Sequence, residues 1–223
     1  GDWDETRGLL GGKGANLGDM TRLGIAVPPG FTVTTEACNA YLAAGEEFPA
    51  GLLEEMTAEL AAVEERAGKV FGDPQNPLLV SCRSGAKFSM PGMMDTVLNI
   101  GMNDEVVERM IEVFGDRHCV LDSYRRRIPM FATVVMGVRE EPFEDTLAEA
   151  RAKYDTVSDS DLPDDELEKI VEIFKGHVER FAGREFPSDP TEQLTMAVEA
   201  VFRSWNGKRA FAYRNAAGIA HDL

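Results

Sequence analysis

The sequence predicts a mixed α/β (α+β) protein in which an α/β unit is interrupted by an inserted helical subdomain. Three observations carry this expectation. Residues 1–101 mix short β-branched or apolar runs with segments of helical period. From Asn103 onward apolar residues recur at steps of three and four, segment after segment. A strong helix start at Asp189-Pro190-Thr191-Glu192 then returns the chain to the first unit. The expected division is 1–102 plus 189–223 as the α/β unit and 103–188 as the helical subdomain.

In order along the chain, Gly11-Gly12-Lys13-Gly14 reads as a turn opening a helix over 13–23, with Leu17, Met20 and Leu23 on one side. The β-branched run at 31–35 follows Pro28-Pro29-Gly30 and predicts a strand. Residues 35–44 read as helix. Residues 52–67 do so more strongly, with Leu52, Met56, Leu60 and Val63 at helical spacing, and Gly72-Asp73-Pro74 stops that region. Apolar runs at 78–82 and 96–100 predict two buried strands.

In the helical stretch, Val106, Val107, Met110, Ile111 and Phe114 form one stripe. Leu121, Tyr124, Ile128, Phe131, Val135 and Val138 form a second, which Pro129 is expected to kink or split. Leu167, Ile170, Val171, Phe174, Val178 and Phe181 form a third. Asp189 is the expected N-cap of the next helix, with Pro190 at N1 and Glu192 completing a capping-box arrangement. Leu194, Ala197, Val198, Val201, Phe202 and Trp205 face a core, and 215–223 reads as loop.

Bulk properties narrow the function. The 223 residues suffice to bury a real core, and 43% hydrophobic with 28% charged residues is ordinary for a globular protein. Net charge is −16, and residues 140–192 hold 17 acids against 6 bases. Nucleic-acid binding, which needs a basic face, is not expected. The acidic stretch reads as solvated helix faces. No apolar run approaches a membrane span, and residues 1–20 show no secretory leader pattern. Cys38, Cys82 and Cys119 are odd in number and have no metal-ligand spacing, which points to a reducing, cytoplasmic setting with each thiol a small buried hydrophobe. Cys82 beside Arg83 has a second reading as a reactive thiol.

The chemistry concentrates in two segments. In 78–101 an apolar run ends at Arg83 and a loop rich in Ser, Gly and Pro follows. Ser81, Ser84, Gly85, Ser89 and Gly92 let backbone N–H groups approach a ligand, and Arg83 offers a planar fork for phosphate oxygens. In 9–20, Lys13 sits beside a helix start, with Gly11, Gly12 and Gly14 exposing backbone donors. Each residue has a plainer reading too: an exposed turn lysine, or an arginine in a structural ion pair. Walker A spacing is absent. Met90, Met93 and Met94 either pad a base or fill a core. Asp95 and Thr96 are candidates to hydrogen-bond a sugar, a phosphate or a neighbouring loop. The arginines of Asp122-Ser123-Tyr124-Arg125-Arg126-Arg127 are expected to pair with neighbouring carboxylates, and His118, His177 and His221 show no ligand or triad pattern.

Four segments, GGKGANLGDM with PPGFTVTTEAC, PLLVSCRSGAKFSMPGMMDTVLNIGMND, DSYRRRIPMFATVVMGV and DPTEQLTMAVEAVFRSWNGKRAFAYRN, together resemble the pyruvate phosphate dikinase family in family order. SMPGMMDT favours that family over phosphoenolpyruvate synthase and rifampin phosphotransferase, which are similar around GGKG and the Arg-Ser pair. Cys82 and Lys87-Phe88 depart from the family pattern.

The resemblance implies the first part of an ATP-grasp-type nucleotide-binding domain. The family interconverts ATP, phosphate and pyruvate with AMP, pyrophosphate and phosphoenolpyruvate through a carrier histidine on a swivelling domain. It implies Arg83 as the catalytic cation. It also implies Lys13, Gly12, Gly14, Arg83, Ser84, Gly92, Asp95 and Thr96 as the ATP-binding set. Mg²⁺ is implied with its carboxylate ligands, like the second cleft wall and the phospho-histidine domain, outside the 223 residues; no metal ligand is assigned within them. A homodimer is implied only for a full-length enzyme, and the fragment alone is expected to be inactive. The alternative is a free-standing nucleotide-binding or regulatory module, or a fragment of a related dikinase.

Overall fold

The structure, a computed structural model, describes residues 2–88, 90 and 92–221. Ser89, one of the small residues expected to let backbone donors approach a ligand, lies outside the described residues. The helices are α1 (Trp3–Arg22), α2 (Thr35–Ala43), α3 (Leu52–Ala67), α4 (Asp104–Phe114), α5 (Arg117–Val134), α6 (Glu141–Lys153), α7 (Asp164–Ala182), α8 (Pro190–Ser204) and α9 (Lys208–Ala217). Four short strands, β1 (Val70–Phe71), β2 (Pro77–Leu78), β3 (Val80–Arg83) and β4 (Thr96–Ile100), form two-stranded sheets β1-β2 and β3-β4. The chain is an α+β protein in which helix predominates.

Packing defines two compact units: residues 1–71, 82–96 and 198–223, and residues 72–81 and 97–197. The first holds α1, α2, α3, α9 and the end of α8. Its buried residues include Ala15, Tyr41, Met56, Val63, Val201, Phe202 and Trp205. Tyr41, Phe48 and Phe202 form a ring cluster with centroids 5.1, 5.3 and 6.4 Å apart.

The helix after Gly11-Gly12-Lys13-Gly14 is present, but α1 starts earlier, at Trp3, and bends at Gly11. Leu17, Met20 and Leu23 are exposed rather than buried. The strand expected at 31–35 is absent. The side chain of Thr34 instead caps α2 by accepting the Ala37 N–H, and the Thr35 hydroxyl donates to the Gly8 carbonyl at 2.8 Å. The hydroxyls that favour a strand are spent on a cap and a tertiary tie.

The second unit buries the three predicted stripes in one core, from Met102, Val107 and Leu121 to Ile128, Leu167, Phe174 and Val178. Each large side chain so buried contributes roughly 1.5–3 kcal/mol. The core also takes Phe143, Leu147 and Ala150 from α6, which the stripes do not announce. Phe114 at the end of the first stripe is exposed, as is Phe181 at the end of the third. α5 runs unbroken through Pro129, so the expected split does not occur. The strand expected over 78–82 is divided at Leu79 between β2 and β3.

Asp189 begins α8 as expected, its side chain accepting the Thr191 N–H at 2.9 Å. Glu192 does not close a capping box, because its carboxylate is taken by Arg184. The first turns of α8 are fixed by Gln193, which is fully buried. Its side-chain oxygen accepts from Gly101 N at 3.0 Å and Arg127 Nη2 at 2.7 Å. Its amide donates to the Met102 and Pro187 carbonyls at 3.1 and 2.8 Å. This hub explains why 190–197 packs with the helical elements, whereas the sequence places the boundary at 188/189.

Arg125 and Arg126 pair with Asp122 at 2.6 and 3.1 Å, as expected. Arg127 does not. It is buried over the Phe131 ring and donates to Asn99 O at 2.7 Å, and burial lowers its pKa to about 10. The stretch expected to be loop from 215 is in part the end of α9.

Candidate functional site

In the first unit the two singled-out segments lie against each other. Gly11 turns α1 with φ +69°, a left-handed value that favours glycine. A Cβ there would stand 2.9 Å from the Gly85 carbonyl carbon. Close approach of the Gly11 and Gly85 backbones is what the missing side chain of Gly11 permits. Gly14 serves a different contact: its ideal Cβ would lie 3.0 Å from Thr32 Oγ1.

Three carbonyls of the loop after Arg83 are then held by α1. Lys13 Nζ donates to Ser84 O at 3.0 Å, Gly12 N to Ala86 O at 2.8 Å, and Arg7 Nη2 to Lys87 O at 2.9 Å. Lys87 Nζ closes the ring on Asp4 at 2.9 Å. Among the described residues no peptide bond is cis, so each N–H points opposite to the carbonyl of its own peptide unit. The N–H groups of Gly85, Lys87 and Phe88 therefore point away from the α1 donors. None of the three has a hydrogen-bond partner among the described residues. Unpaired amides in one loop are donors available to an anion.

Arg83 ends β3 and is exposed, and its side chain makes no hydrogen bond or ion pair among the described residues. The described residues give the structural-ion-pair reading of Arg83 no partner. Lys13 is also exposed and spends one of its three N–H donors on Ser84 O, leaving two. Ser84 itself is buried. Arg7, Lys13, Arg83 and Lys87 place four bases around one loop, with Asp4 as the nearby acid, in a chain of net charge −16.

The other sequence-singled residues gather elsewhere in the same unit. Gly92 O and Asp95 Oδ1 both accept from Arg209, at 3.3 and 2.9 Å, and Asp95 N donates to Ser204 Oγ at 3.4 Å. Thr96 opens β4. No hydrogen bond among the described residues joins Gly92, Asp95 or Thr96 to Lys13. Met90 is buried, and Met93 and Met94 are half-buried, so packing occupies at least Met90.

Burial pushes the Cys82 thiol up to about 12, which removes the thiolate its reactive reading needs. Cys38 is raised to about 11 by the same cause. Cys119 is exposed, against the expectation of three buried thiols. Arg7 and Arg209 are the residues that motif reasoning passed over. Both act on backbone carbonyls, and a sequence carries no sign of which carbonyl a side chain will meet.

Among the described residues no group of three or more His, Cys, Asp or Glu is gathered that could hold a metal ion. No helix among them is long and apolar enough to cross a membrane.

Comparison with known proteins agrees with the resemblance. Residues 7–223 match the family described as "Pyruvate phosphate dikinase, AMP/ATP-binding domain". The chain is 51% identical over 207 residues to the chloroplastic pyruvate, phosphate dikinase 1 of Oryza sativa subsp. japonica, covering 93% of this chain and 22% of that protein. It is 47% identical over 215 residues to the pyruvate, phosphate dikinase of Rhizobium meliloti, covering 96% and 24%. The Clostridium symbiosum enzyme of the same name is 46% identical over 217 residues, covering 97% and 25%. The chain thus spans about a quarter of the length of these relatives. With the match running over residues 7–223, this chain belongs to the family of pyruvate phosphate dikinase AMP/ATP-binding domains.

Proposed function

We propose that this chain supplies the phosphate-binding part of the ATP site of a pyruvate phosphate dikinase. In that reaction ATP, phosphate and pyruvate yield AMP, pyrophosphate and phosphoenolpyruvate. The observation that carries the reading is the pinned loop. α1 takes the carbonyls of Ser84, Ala86 and Lys87, so the amides of Gly85, Lys87 and Phe88 turn to the other face of the loop and stay unpaired, as does the guanidinium of Arg83. Such an arrangement is preorganised for negative charge, the dominant need in phosphoryl transfer.

Arg83 is assigned two phosphate oxygens at once, through its fork, and Lys13 acts as a point charge. Gly11 lets the loop, and Gly14 lets Thr32, approach α1 closely, while Gly12 contributes its N–H to Ala86 O. Ser84 anchors Lys13, and Gly92, Asp95 and Thr96 form the exit of the loop. Residues 1–71, 82–96 and 198–223 are assigned as the nucleotide-binding subdomain of an ATP-grasp-type fold, and 72–81 with 97–197 as its helical subdomain. The described residues do not fit a Mg²⁺ site, and no step is assigned to the metal here. The three cysteines, none of them in a disulfide, support a cytoplasmic setting.

The test is a titration of the chain with pyrophosphate, followed by the amide resonances of Gly12, Gly85, Lys87 and Phe88. Those signals should shift together and saturably. In Arg83→Ala the shifts should be lost. Shifts confined to residues 103–188, or undiminished in Arg83→Ala, would contradict the proposal.

A further inference from the structure

We propose that Arg209 is a positioning residue of this site, acting through Asp95; the inference rests on the reading above. The side chain grips the loop exit with two prongs. Nη1 donates to the Gly92 carbonyl at 3.3 Å and Nη2 to Asp95 Oδ1 at 2.9 Å. From the end of α8, Ser204 Oγ accepts the Asp95 N–H at 3.4 Å while donating to Val201 O at 2.6 Å. The corner between α8 and α9 thus fixes residues 92–95, as α1 fixes residues 84–87.

Stability alone gives this pair little purpose. Arg209 is 66% exposed and Asp95 24%, and an ion pair that open contributes little to folding. Its position gives it another role. Asp95 is a carboxylate at the exit of a loop whose free amides and Arg83 suit a polyanion. Left unpaired, it would repel that anion. Arg209 neutralises it and holds its backbone, so the loop presents donors rather than a negative charge.

The experiment is the same pyrophosphate titration, run on Arg209→Ala and on the Asp95→Asn/Arg209→Ala double variant. Arg209→Ala should weaken binding about fivefold, as uncovering one unit of negative charge on the loop can do in water. The double variant should return to within about twofold of the unaltered chain, because the repelling carboxylate is gone. Rescue by removing Asp95 is a result that simple loss of structure does not produce. Unchanged binding in Arg209→Ala, or weakened binding without rescue, overturns the inference and leaves the reading of Arg83 standing. Absence of pyrophosphate binding by the unaltered chain removes both. Should Arg209→Ala fail to fold, Arg209→Met keeps the side-chain stem and is expected to show the same weakening. Unchanged binding in Arg209→Met overturns the inference.

Discussion

Gly11 sets the geometry on which the loop pair depends. It carries a left-handed φ of +69° and stands against the Gly85 backbone at once. Gly24 offers the comparison, since its φ of +77° is similar but nothing lies within 4 Å of its ideal Cβ. Gly24→Ala should therefore cost only the backbone strain, about 1 kcal/mol. Gly11→Ala adds a clash and should cost about 3 kcal/mol by urea denaturation. Equal losses would show that the contact with Gly85 is dispensable. Two histidines give a second test at this scale. Hydrogen bonding to Asp164, and to the Ser160 carbonyl, raises the His118 pKa, whereas burial lowers that of His177. The His118 contribution is fully present below the ordinary histidine value and is lost as pH rises through its raised value. Folding against protonated His177 works in the opposite sense: stability is lost as pH falls below the ordinary value toward the lowered one. Imidazole titrations followed by NMR should place His118 above and His177 below about 6.5. The reverse order would contradict the contacts.

At the scale of elements, the buried Gln193 hub joins the end of β4, α5 and the start of α8 through four hydrogen bonds. Gln193→Leu fills the space but strands Gly101 N, two carbonyls and an Arg127 donor. Buried polar groups left unpaired cost roughly 1–3 kcal/mol each. The variant should lose about 4 kcal/mol in urea denaturation. A loss below about 1 kcal/mol would mean that water replaces the amide. Elements whose burial falls on large apolar residues were legible in the sequence. α3 and β4 occur where expected, and α4, α5 and α7 follow their stripes. α9 was not, because what it buries is Ala210 and Arg214, the latter stacked 4.0 Å over Trp205. A buried arginine mimics a surface position in any periodicity. Residues 31–35 misled for the converse reason, their β-branched hydroxyls serving a cap and a helix tie instead of a ladder.

For the whole molecule, the acidic total of −16 conceals a local basic cluster, which only the fold of the first unit gathers. Arg83 and Lys13 were legible because glycine and serine flank them in patterns with a physical purpose. The pinning of the loop was not, since its acceptors are main-chain carbonyls that every residue owns. Two concavities among the described residues, of about 380 Å³ each, are lined by residues such as Tyr124 and Lys175, or Thr146 and His177, all in the second unit. The pinned loop lines neither of them, and ligand sites that bind tightly bury most of their ligand. The chain alone should bind ATP weakly by calorimetry, and sub-micromolar affinity would contradict that. The central claim is tested most directly in a chimera, with this chain replacing the matching segment of the Clostridium symbiosum dikinase. Exchange of label between AMP and ATP is measured beside exchange between pyruvate and phosphoenolpyruvate. Arg83→Lys should lower the first by about 10²–10³, as loss of a well-placed electrostatic donor does, and leave the second intact. An undiminished AMP–ATP exchange, or equal damage to both exchanges, would contradict the account.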